Sequence, residues 1–173
     1  MSRSLGNTIA DSLELSLAYG ERLQSGLEKD NFARFASPGG QQVVSNHPAF
    51  IYGHLSLYAS RILTDVGLDP ISVPEGFDIL FNKDATCQDD PTGTIYPAMD
   101  VIIETFLTGY QAARDALRQA SDDILQEANP LSGRMTELFP TKGSMHNFYV
   151  GGHMMIHMGQ LSAWRRMMGL PPA

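Results

Sequence analysis

Cysteine is almost missing from this chain: Cys87 is the only one in 173 residues. A single cysteine cannot close an intramolecular disulfide, and a reducing compartment is the natural setting. No basic neighbour is visible to lower its pKa. Cys87 therefore reads as a small side chain in a polar loop from Lys83 to Asp90, not as a nucleophile or thiolate ligand. Positive charge is scarce too. Twelve Lys and Arg stand against 19 Asp and Glu, a net charge of −7. The one tight basic pair, Arg165-Arg166, cannot supply the clustered cations that displace counterions from nucleic acid or hold an anionic membrane surface. Neither partner is expected.

Long apolar runs are absent, and none approaches a membrane span. Met1 to Ala10 carries one Arg and no apolar segment, which is not a signal-peptide pattern, so a cytoplasmic protein is expected. The chain has no internal repeat, no low-complexity tract and no linker long enough to divide it, so residues 1–173 read as one domain. It has no Gly-rich phosphate loop, no Gly-x-Ser-x-Gly elbow and no HExxH. No period-two run bounded by turn residues stands out, so no sheet is expected.

What remains is helical periodicity. Leu5, Ile9, Leu13 and Leu17 recur every four residues, predicting a helix over about 5–27, weakened at Gly20 and Gly26. Pro48 suits a first helical turn with Asn46 or His47 as cap, and Ile51, Leu55, Tyr58, Ile62 and Val66 carry the stripe to Gly67. Residues 68–94 read as a long ordered loop with a short turn or helix around 77–81; a connection of that length is often functional. A third helix spans about 97–120, and short helices or turns are expected at 122–128 and 133–139. The last helix runs from Lys142 or Ser144 to Met168 and is apolar on most faces, as in a helix sitting inside a bundle; its methionines read as adaptable core filling. Four long helices joined by loops predict an all-α four-helix bundle.

The five histidines fall into two groups, His47 and His54, then His146, His153 and His157. His153 and His157 are spaced i, i+4, which puts both imidazoles on one helix face. They sit in the most apolar helix, where an unpartnered imidazole is costly and a shared metal ion would satisfy both. His54 lies on the inward stripe of the second helix. One histidine from there and two from the last helix give three nitrogen ligands with a position left open, the arrangement of catalytic rather than structural sites. Zinc, nickel, iron and copper all accept imidazole. His47 and His146 lie about 10 Å further along their helices and read as caps or pocket-mouth residues. Gly151 and Gly152 admit two readings, close approach of another helix or a local kink. Asp100 and Glu104 could offer a carboxylate, but exposed acids are the commoner explanation, and Arg165-Arg166 fit the negative end of a helix dipole.

Two stretches resemble a known family. Asn-His-Pro-Ala-Phe-Ile-Tyr-Gly-His-Leu-Ser-Leu-Tyr (46–58) and Gly-His-Met-Met-Ile-His-Met-Gly-Gln-Leu-Ser-Ala-Trp-Arg-Arg-Met-Met-Gly-Leu-Pro (152–171) look like the signatures of the DinB-like, or YfiT-like, metalloenzyme superfamily. The resemblance implies an up-down-down-up four-helix bundle, usually a homodimer, with a divalent metal ion (zinc, nickel or iron) on His54, His153 and His157; His47 is not the usual ligand. Characterised relatives include bacillithiol or glutathione-type S-transferases and mycothiol-dependent maleylpyruvate isomerase. It therefore implies a low-molecular-weight thiol as co-substrate and a small-molecule substrate, with His47 or water accepting the thiol proton. The alternatives are a metal-dependent hydrolase, a non-catalytic stress-response or binding dimer whose metal is structural or vestigial, and, most plainly, histidines that are hydrogen-bonded core groups without a metal.

Overall fold

The structure is a computed structural model that describes residues 3–173, and its regular structure is helical. Among the described residues, β pairing is limited to two isolated bridges, Ala36 with Val43 and Ala128 with Thr141. Helix α1 spans Leu5–Arg22 and starts where the Ser4 hydroxyl accepts from the Asn7 N–H. It buries Ile9, Leu13 and Leu17. It stops five residues short of Leu27, and the turn beyond passes through Gly26 at φ 77°. Arg165 explains that early stop. Its buried guanidinium donates to the carbonyls of Leu23, Ser25 and Pro171, so these loop oxygens need no helical partner. The dipole reading of Arg165 is thus replaced by a cap on another segment, while Arg166 remains exposed.

After the short helix α2, Lys29–Phe32, the chain enters α3, Pro48–Asp65. Proline at the first position and His47 as N-cap set its start: the His47 ring accepts from the Phe50 N–H. The long connection that follows holds α4, Phe77–Phe81, and is fixed by its own polar groups. The buried carboxylate of Asp90 accepts from the backbone N–H groups of Thr94, Ile95 and Tyr96, at 3.0, 2.9 and 3.2 Å. Asp89 pairs with Arg34 and takes the Phe35 N–H. Helix α5 is Met99–Gln119, followed by the short α6, Asp122–Gln126, and α7, Arg134–Leu138.

The last helical stretch is continuous but not uniform. It opens as α8, Lys142–Asn147, with Thr141 and Ser144 forming a reciprocal capping box. It widens into a π-helical segment, Phe148–His153, and resumes as α9, Met154–Met167. Gly151 and Gly152 lie in the wide turn. A Cβ on Gly151 would meet nothing within 4 Å, so the pair does not admit a neighbouring helix; nor does it break the helix, which widens here and runs on. Helix α5 packs on α1 and α3, and α9 packs on the same two helices. Trp164, Tyr52, Tyr110, Phe77, Phe81 and Phe106 are among the largest side chains fully enclosed. One expectation fails here: α9 is not buried all round, since Met155 and Ile156 are 40% and 59% exposed.

Candidate metal centre

His54 sits midway along α3, almost fully buried between the rings of Phe50 and Tyr58. Its Nδ1 lies 2.7 Å from the carbonyl oxygen of Phe81. A carbonyl only accepts, so Nδ1 carries the proton and Nε2 presents its lone pair. The register of α4 makes this possible. The Phe81 ring lies flat on Gly53, where a Cβ would come within 2.6 Å of three ring carbons. Only a residue without a side chain at position 53 lets α4 dock deep enough for its last carbonyl to reach the imidazole.

His153 and His157 face His54 from the last helix. Ring centroids are 5.5 Å apart for His54 and His153, 4.9 Å for His54 and His157, and 4.7 Å for His153 and His157. Each offers one nitrogen, and these three atoms lie within 4.8 Å of one another. Two nitrogens held at 2.0–2.1 Å on a tetrahedral ion are about 3.3 Å apart, so small side-chain rotations separate this arrangement from a closed site. The Nδ1 of His157 donates to Gln160 Oε1 at 3.0 Å, which again leaves Nε2 as the lone pair, and Gln160 is steadied by Asn46 at 3.3 Å. His153 has a buried Nδ1 with no hydrogen-bond partner. A buried imidazole nitrogen with nothing to bond is expensive, and a cation on that nitrogen would remove the cost. The residues present therefore fit a divalent ion.

Electrostatics agree. Burial lowers the pKa of His54, with the Phe81 carbonyl opposing it. Burial, then the charge His54 would carry, lowers His157. Burial and the other two imidazoles push His153 down to about 3. All three are thus neutral near pH 7, the form in which imidazole binds metals.

The other candidates lie elsewhere. His47 is fully buried, with Nδ1 accepting from Phe50 and Nε2 donating to the Gln88 carbonyl at 2.8 Å. Both nitrogens are occupied, so it is a cap and has no free site to take a proton from a thiol. His146 is also fully buried, with Nε2 3.0 Å from Asp65 Oδ2 but off the hydrogen-bonding direction. Asp100 and Glu104 are exposed. Burial pushes the Cys87 thiol up to about 11, which leaves it protonated and inert. Sequence reasoning missed the supporting residues, namely the Phe81 carbonyl, Gln160 and the phenols of Tyr58 and Tyr149. The two tyrosines did leave a signal, since each stands four residues from a triad histidine.

The triad opens into a pocket of about 280 Å3 lined by Asn46, Phe50, Tyr58, Asn82, Lys83 and Ala85 besides the histidines. Two larger depressions, about 360 and 430 Å3, contain no histidine and gather no convergent ligands. All-helical architecture and three converging imidazoles define a helical protein with a candidate metal centre. Comparison with family models, curated proteins and solved structures finds no match for this chain.

Proposed function

We propose that this chain is a DinB-like, YfiT-like protein: an up-down-down-up four-helix bundle of α1, α3, α5 and the α8–α9 stretch that holds one divalent ion, zinc, nickel or iron, on His54, His153 and His157. The observation that carries the reading is the convergence of three neutral imidazoles from segments about a hundred residues apart, one with an unpartnered buried nitrogen. The reaction we propose is transfer of a low-molecular-weight thiol to a small electrophile. A divalent ion at such a site lowers the pKa of a thiol that meets it. The chain's own part is to hold three ring nitrogens unprotonated and to keep the site half-enclosed behind Phe50 and Tyr58. The outer face of α9, where Met155, Ile156 and Gly159 are exposed at helical spacing and continue the exposed Gly152 of the π-helical turn, supports a homodimer.

A second reading is a non-catalytic dimer with a structural or vestigial metal. It is favoured by the pocket lining, which contains no carboxylate and no cysteine to move protons.

Metal content of untagged protein, purified without chelator, tests the centre. About one ion per chain is expected, lost in His54→Ala and in His153→Ala while both keep their helical circular dichroism. No uptake of zinc, nickel or iron by wild-type protein would remove the proposal. Turnover of thiols with electrophiles by the loaded protein then separates the enzyme from the non-catalytic dimer.

A further inference from the structure

The triad is one end of a longer polar seam. On α3, His54, Tyr58, Arg61 and Asp65 follow one another at intervals of four, three and four residues, so they share a face. On the facing stretch, His157, His153 and Tyr149 run the other way at intervals of four. The rings meet across the gap: Tyr58 is 4.7 Å from His153 and 4.9 Å from Tyr149, centroid to centroid. Imidazoles thus give way to phenols, and the phenols to a guanidinium.

Three features of that far end are not explained by packing. Tyr58 and Tyr149 are half-buried, yet neither hydroxyl hydrogen-bonds to any described residue, whereas the buried Tyr52 and Tyr110 donate to the carbonyls of Gly20 and Leu55. Arg61 is exposed and pairs with no carboxylate among the described residues, in a chain with 19 acids. Asp65, one turn on, is turned inward to His146. The positive charge of Arg61 nonetheless bears on both phenols and opposes the rise that burial gives them. Tyr58 lines the triad pocket, Tyr149 packs beside it, and Arg61 follows Tyr58 by one turn of α3, so two free O–H donors and one free fork of N–H donors form a seat suited to an anion.

We propose that Arg61 and the hydroxyls of Tyr58 and Tyr149 bind the carboxylate of the molecule whose other end lies at the three imidazoles. This rests on the metal reading above and narrows it to a substrate class: small organic acids. Along α3, Tyr58 and Arg61 stand about 6 and 10 Å from His54 by helical rise, so the carboxylate and the metal-directed group are a few bonds apart. The seat also fixes orientation, because a neutral ligand would leave Arg61 unanswered and could turn freely.

The test titrates zinc-loaded protein by calorimetry with two matched pairs of thiols, in which the sulfur serves as a handle for the ion. These are N-acetylcysteine against its amide, and 3-mercaptopropionate against 3-mercaptopropionamide. The acid of at least one pair should bind about tenfold more tightly than its amide. Arg61→Gln should bring that acid down to the affinity of its amide, and Arg61→Lys should keep part of the preference. Tyr58→Phe and Tyr149→Phe, which preserve the rings and remove only the hydroxyls, should each weaken the acid about threefold. Arg166→Gln, an exposed change of equal charge on α9, should leave the preference intact. Equal binding of acid and amide in both pairs, or a preference that survives Arg61→Gln, overturns the carboxylate seat while leaving the metal centre standing. Protein that takes up no zinc overturns both.

Discussion

A histidine in a helix becomes a ligand or a cap according to what its second nitrogen meets. His54 and His157 each give one N–H to an oxygen, from Phe81 and Gln160, and so present the other nitrogen bare; His47 spends both. Such outer contacts hold ligands in place and typically matter 10–100-fold. Gln160→Leu is therefore expected to weaken zinc binding by about that factor with little change in helical content, as read by competition with a chromogenic chelator. Protonation gives a second test. Unfolded histidine titrates near 6.5, while His153 in the folded chain stays neutral to about 3. Between those values the unfolded state binds more protons, so stability falls as pH falls. Metal-free protein should lose about 2 kcal/mol at pH 5 relative to pH 7 from His153 alone. His153→Ala should show a smaller loss when urea midpoints are compared. The convergence of the three histidines was legible in the sequence because i, i+4 spacing and an inward stripe are properties of the chain itself. His47 as a cap was legible too, from its place just before Pro48. Its contact with the Gln88 carbonyl and the role of Arg165 were not, because they depend on loop carbonyls that only folding brings near.

Elements that look continuous in sequence can change character where it matters. Proline and glycine marked the ends of α3 and α9 well, and even the short α4 was readable from its apolar pair in a polar loop. The π-helical turn was not readable. Two glycines suggested a break, but a widened turn keeps the helix running while shifting the face that His153 and Tyr149 present, and π turns cluster at functional sites. The end of α1 also escaped, because Arg165, far along the chain, satisfies the carbonyls that follow it. The contact of α4 with α3 gives the prediction proper to this scale. Gly53→Ala places a methyl where the Phe81 ring now lies, at 2.6 Å. Overpacking of this kind costs about 1–3 kcal/mol. Displacing Phe81 also withdraws the carbonyl that orients His54, so metal affinity should drop even in molecules that remain folded. Thermal melts and metal titration of the same variant check the two effects separately.

At the scale of the whole molecule, the all-helical class followed from periodicity, since every long stripe in the sequence is a helix in the structure. No helix of the described residues is long and apolar enough to cross a membrane. The exposed face of α9 was not foreseen, because an apolar segment reads as interior wherever its outer side points. If that face joins two copies, Ile156→Lys, which places a charge at a position now 59% exposed, should give a monomer by light scattering without lowering the melting temperature of the single chain.

With a single cysteine the chain cannot tie itself together through sulfur. Its imidazoles offer another knot. Positions 54 and 153 are 99 residues apart, and an ion held by both closes a loop that contains α4 to α8. For a covalent bridge around a loop of that size, the lost freedom of the unfolded chain is worth about 4–5 kcal/mol. A coordinated ion is a tie of the same topology that acid or a chelator can undo, so the fold would carry a fastening that opens without any change of redox state.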